Sequence, residues 1–253
     1  MKKLLLLLFF SAVCVGSYFG IIKFFGPRFP QRALFIGNSY TDEIRFYLDS
    51  SLDKYDHKSS VLEYITAGGA DLKDHILNKK TIERIQTGNW DYVILQEQSQ
   101  KPGLPDHHAK AFHGSVDFFT QLIRKSGAEP ILYMTWGKRE GDPGNKRFFP
   151  DYDSMQRKIA NAYRVAASRN GVLLAPVGDV WAKVKEMDLE LWRDLYERDG
   201  AHPSSKGSFL IHCVFLSMIF NIQINTIEKP AYISTDEWQV MKHALMQIQW
   251  DQS

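Results

Sequence analysis

The chain has 253 residues, 44% of them hydrophobic and 24% charged, with a formal net charge of +2 and only two cysteines. That composition excludes a disordered, collagen-like or coiled-coil chain, the length suits one sizeable α/β domain, and two cysteines supply neither a disulfide framework nor a four-cysteine zinc site. The positive charge sits in residues 1–32, where Lys2, Lys3, Lys23, Arg28 and Arg32 face no acid, leaving 26 basic against 29 acidic side chains beyond them; such a body offers no broad cationic surface for nucleic acid.

In chain order, the first signal concerns a membrane. Residues 4–22 contain no charge and open with five leucines, and their 19 residues are close to the roughly 20 an apolar helix needs to span a bilayer. Lys2 and Lys3 favour a cytoplasmic start, so the remainder is expected outside the cytoplasm. The first reading is an uncleaved single-helix anchor. The second is a signal peptide cut near Val15-Gly16-Ser17, which would leave a secreted or periplasmic domain. Cys14, preceded by Val13, fits a lipoprotein signal badly. Pro27 and Pro30 break any helix, so residues 1–32 form anchor or signal plus linker and residues 33–253 the folded domain.

Five apolar, β-leaning runs follow at residues 33–37, 61–66, 92–96, 130–136 and 172–176. Helical periodicity follows each: Ile44, Tyr47, Leu48 and Leu52 after the first, then residues 72–85, 109–125, 155–169, 180–187 and 209–220. Continuous apolar strands alternating with helices predict a parallel sheet covered on both faces. Right-handed crossovers then gather the strand carboxyl ends along one edge, where ligands bind in such folds.

The segments after the strands therefore carry the chemistry. The first is Gly37-Asn38-Ser39-Tyr40-Thr41, a tight strand-to-helix turn. It presents Ser39 either as a nucleophile, with a helix amino terminus to stabilise developing negative charge, or as one of several residues that could cap the helix. The second is Ala67-Gly68-Gly69-Ala70-Asp71. The third is Gln96-Glu97-Gln98-Ser99-Gln100, in which Glu97 reads as a structural hydrogen-bonding group rather than a general acid. His107, His108 and His113 miss the spacing of a metal site and read as surface residues. Trp136 ends the fourth run, ahead of a loop of Gly, Pro and charge from Lys138 to about Pro150, a pocket rim or lid; the tryptophan reads equally as a sugar platform or a core residue. In Asp199-Gly200-Ala201-His202-Pro203-Ser204 the carboxylate and imidazole lie three residues apart, so Asp199 could orient His202 while its other ring nitrogen takes a serine proton. Cys213 reads as a buried small hydrophobe, too remote in character from Cys14 for a disulfide. Residues 227–249 form an amphipathic helix through Trp238, Met241, Ala244 and Leu245.

The order Ser…Asp-x-x-His, with Leu34–Thr41 and Asp199–Ser204 as its blocks, resembles the SGNH (GDSL-type) hydrolase superfamily over most of residues 33–220. The resemblance implies a flavodoxin-like three-layer α/β/α fold with a five-stranded parallel sheet and a serine ester hydrolase needing no metal or cofactor. It further implies Ser39 as nucleophile, His202 as general base then acid, and Asp199 as the orienting carboxylate. The family's Gly-Asp-Ser is here Gly37-Asn38-Ser39. Its second-block glycine matches Gly69, ahead of Gly68, as an oxyanion donor beside the Ser39 amide. Its third block, Gly-x-Asn-Asp, is missing; some carbohydrate acetylesterases of the superfamily carry Gln-Gly-Glu-Ser, which resembles Gln96–Ser99. On that match Gln96 supplies the third oxyanion contact, with Gln98 the alternative. The expected substrate is a small-molecule or carbohydrate acyl ester, with a catalytically weak glycan-binding relative and an O-acyltransferase as rivals. The sequence leaves the oligomeric state open.

Overall fold

The computed structural model describes residues 31–248. The expected segment at residues 4–22 and Cys14 lie outside them, and among the described residues no helix is long and apolar enough to cross a membrane. The elements run β1 (Arg32–Gly37), α1 (Ser39–Lys54), β2 (Val61–Thr66), α2 (Leu72–Leu77), α3 (Lys79–Thr87), β3 (Tyr92–Leu95), α4 (His107–Lys125) and β4 (Glu129–Tyr133). They continue with α5 (Tyr152–Asn170), β5 (Leu173–Ala175), α6 (Val177–Met187), α7 (Leu189–Asp194), α8 (Ser205–Phe220) and α9 (Thr235–Gln247).

The five strands pair in parallel in the order β2-β1-β3-β4-β5. Because side chains alternate across a strand, Ala33 and Phe35 of β1 enter one core while Leu34 and Ile36 enter the other. The first core is closed by α1 and α6–α9, the second by α2–α5. This is the three-layer α/β/α arrangement the alternation implied. Helix α8 is apolar nearly all round and buried from Gly207 through Leu216, as a helix enclosed by its neighbours must be; α1 and α9 pack beside it in the same core.

Three local expectations change. The helix expected over residues 72–85 breaks in two. Asn78 has ψ 106, ends α2, and begins α3 by accepting from the Lys80 amide through its side chain. Residues 189–194 form α7, capped by Asp188, which accepts from Leu191 N. The final helix starts only at Thr235, where Ser234 and Glu237 form a capping box.

Candidate active site

Ser39 is the first residue of α1, directly after the β1 turn. Asn38 caps that helix from an extended conformation, its Oδ1 accepting from Tyr40 N at 3.2 Å. Capping therefore belongs to Asn38, which leaves the Ser39 hydroxyl available. Close approach explains Gly37: a Cβ there would fall 2.4 Å from Thr41 Oγ1 and 2.5 Å from Gln96 Oε1, contacts no side chain tolerates.

Asp199 and His202 lie on the loop between α7 and α8. Long-range bonds bring that loop to the sheet edge. Arg139 N donates to Gly200 O at 2.8 Å and Trp136 Nε1 donates to Ala201 O at 3.0 Å, while Glu197 N, donating to His202 O at 2.8 Å, closes the loop on itself. Ser39 Oγ then stands 2.9 Å from His202 Nε2, and His202 Nδ1 stands 2.6 Å from Asp199 Oδ2. An ionised carboxylate only accepts, so Nδ1 carries the ring proton and Nε2 is left to accept from the serine hydroxyl. Partial burial pushes the Asp199 carboxyl up, but hydrogen bonds from the His202 ring and from the Ala201 and His202 amides outweigh it and hold the group below the usual carboxylate range. The imidazole and carboxylate are 37% and 49% exposed and Ser39 is half-buried, so the triad lies at the protein surface.

Gly69 lies on the exposed loop after β2 with φ +71, in the left-handed region. Ala67 N donates to Gly37 O and Ala70 N to Ala67 O, which curls this loop beside the Ser39 turn.

Gln96 corrects the expectation for the third donor. It is fully buried. Its Oε1 accepts from Asn38 N and from Thr41 Oγ1, each at 2.9 Å, and its Nε2 donates to Glu97 O. The Asn38 amide can only donate, which fixes the orientation of the Gln96 side chain. Gln96 is thus a brace beneath the serine turn and not a donor facing the hydroxyl. Gln98, half-buried, is the remaining candidate in this segment; its Nε2 donates to Gln100 Oε1 at 2.7 Å, which leaves a second amide hydrogen.

Glu97 is 2% exposed and accepts from Gln98 N at 2.7 Å and from Leu72 N at 3.4 Å. Burial pushes its carboxyl up to about 7 despite those bonds. Trp136 is a core residue, fully buried between Tyr40 and Trp181 at ring distances of 4.6 and 4.2 Å. His75 is a site neighbour that no spacing signalled: its Nε2 donates to Gly37 O at 2.8 Å from the buried face of α2. His107 and His108 lie ring to ring at 3.9 Å, and Cys213 is buried. Among the described residues no group of three or more His, Cys, Asp or Glu could hold a metal.

Comparison with solved structures shows what this fold resembles. A candidate SGNH hydrolase from Slackia heliotrinireducens is 28% identical with a TM-score of 0.61, over 73% of this chain and 96% of that one. A DUF4886 family protein from Bacteroides uniformis shares the fold at 16% identity and TM-score 0.67, over 85% of this chain and 92% of that one. So does a catalytic mutant of an acetylxylan esterase from Geobacillus stearothermophilus, at 16% identity and TM-score 0.58 over 75% and 94%. No protein-family model and no curated protein matches the chain. The five-stranded parallel sheet and these likenesses give the chain the fold of SGNH (GDSL)-type hydrolases.

Proposed function

We propose that the protein is an exported serine ester hydrolase that removes acyl groups, acetyl foremost, from carbohydrate esters. The observation supporting this reading is the unbroken contact from the Ser39 hydroxyl through the His202 imidazole to the Asp199 carboxylate. Ser39 Oγ loses its proton to His202 Nε2 as it attacks the ester carbonyl, and Asp199 stabilises the imidazolium. The tetrahedral oxyanion is met by the Ser39 and Gly69 amides, with the Gln98 side chain as the available third donor. His202 then protonates the departing alcohol, and a water molecule repeats the sequence on the acyl-Ser39.

Two features favour a carbohydrate over a lipid ester. The His202 imidazole is exposed to solvent, and an acetylxylan esterase shares the fold. Moreover, Arg32 begins β1 at the sheet edge opposite Ser39, and six residues of strand span about 20 Å. A membrane tether entering at Arg32 would hold the reactive face away from the bilayer and toward a surrounding polymer.

The test is labelling of the protein with a fluorophosphonate probe, followed by peptide mapping and assay on an aryl acetate. Ser39 is expected to carry the label, and Ser39→Ala to lose at least about 10³-fold in kcat with an unchanged melting curve. Wild-type activity in Ser39→Ala would end the proposal. Absence of labelling would favour a glycan-binding relative, and acyl transfer to an added sugar would favour an acyltransferase.

A further inference from the structure

We propose that Asn38 is a positioning residue for the oxyanion pocket, its side-chain amide tying the loop that carries Gly69 to the turn that carries Ser39; this rests on the reading of Ser39 given above. Asn38 is 4% exposed, and its Nδ2 donates to Ala70 O at 3.0 Å. Its other amide atom accepts from Tyr40 N, a group that can only donate, so the orientation is fixed from both ends. The Ala70 amide in turn donates to Ala67 O, closing the short turn in which Gly69 sits. Holding the Ala70 carbonyl therefore holds the Gly69 amide.

The loop tip has little else to locate it. A Cβ placed on Gly68 or Gly69 would meet nothing within 4 Å, so packing does not fix the tip. Its far end is secured by the Lys101–Asp71 ion pair and by Leu72 N on Glu97. Its near end is secured by Ala67 N on Gly37 O and by Asn38. Of these tethers, Asn38 alone is a side chain adjoining the nucleophile, so one residue sets the spacing of both proposed amide donors.

The same geometry explains an asparagine where the resembled family has aspartate. An ionised carboxylate could keep the cap to Tyr40 N but has no hydrogen for Ala70 O, and two acceptors would then face each other in a buried site. A protonated carboxyl would restore the donor.

Steady-state kinetics on 4-nitrophenyl acetate, from about pH 6 to about pH 9, test this with the full chain and its Asn38→Asp, Asn38→Ser and Ser39→Ala variants, each checked for folding by thermal melting. Serine keeps the helix cap but is too short to reach Ala70. Asn38→Ser is expected to lower kcat at least about tenfold at every pH with little change in KM, as a displaced donor should. Asn38→Asp is expected to lose at least as much at the alkaline end and to recover relative to wild type as pH falls. Asn38→Ser or Asn38→Asp within about twofold of wild-type kcat throughout, beside an inactive Ser39→Ala, overturns the positioning role and leaves the Ser39 reading standing. A deficit in Asn38→Asp that widens as pH falls also overturns it, because it would report a charge acting on His202. An active Ser39→Ala removes the nucleophile reading and this proposal together.

Discussion

Gln96 occupies a place that neither a charge nor an apolar group could fill. Its carbonyl oxygen serves the Asn38 amide and the Thr41 hydroxyl where no water reaches. Gln96→Leu strands both donors, each at about 1–3 kcal/mol. A loss of about 2–5 kcal/mol in unfolding free energy, read from urea denaturation, is the expected outcome. A residue acting only as an oxyanion donor would cost turnover and leave that free energy unchanged, so the measurement separates the brace from the donor first expected. Trp136 is comparable: its ring lies in the core, yet its Nε1 reaches the Ala201 carbonyl beside His202. A residue can thus serve the site without facing substrate.

Among the elements, α2 carries His75, whose Nε2 donates to Gly37 O, and it ends three residues later at Asn78, where α3 begins. Periodicity over residues 72–85 suggests one continuous helix, but Asn78 competes for the backbone by capping Lys80 N at 3.0 Å, as short amide side chains do. Asn78 is exposed, and Asn78→Ala should cost about 0.5–2 kcal/mol through the lost cap alone. Thermal melting would show that loss, with kcat on an aryl acetate preserved. A coincident fall in kcat would mean that the helix break also governs the Gly37 turn. The α7–α8 loop shows the complementary case, a segment with no strand before it that is carried to the sheet edge by the Arg139 amide and the Trp136 indole.

In the whole molecule, two buried titratable groups pull stability in opposite directions. His212, 5% exposed in the core between α1 and α8, sits with Nε2 2.5 Å from Ser51 Oγ and with Nδ1 unpartnered. Burial, aided by the Lys54 charge, lowers it from 6.5 to about 3. The unfolded chain therefore binds a proton at His212 below pH 6.5 that the folded chain refuses, and stability falls as pH drops from there toward 3. Glu97 has the reverse sign. Raised from 4.5 to about 7, it holds a proton in the folded state that the unfolded chain has released, so its contribution is lost as pH rises through that window. Replacing His212 with leucine should flatten the acid limb by up to about 1.4 kcal/mol per pH unit below the histidine's unfolded value. Urea unfolding of both proteins at a series of acidic pH values checks this; parallel curves would mean that His212 titrates normally in the fold.

Much of this molecule was legible in the chain itself. Local periodicity and turn residues report on neighbours within a few positions, so the strand–helix alternation and its three-layer consequence followed directly. Ser39, Asp199 and His202 stood out through the order Ser…Asp-x-x-His and the family resemblance it carries, since each block alone reads equally as a cap or a turn. Tertiary structure decided what depends on contacts across long stretches of chain. Ser39 and His202 meet over a separation of 163 residues, and Gln96 turns inward because Asn38, 58 residues earlier, presents an amide hydrogen that needs an acceptor. Asn38 itself matters through Ala70. Such pairings satisfy buried polar groups, and which groups become buried together is settled only when the sheet assembles.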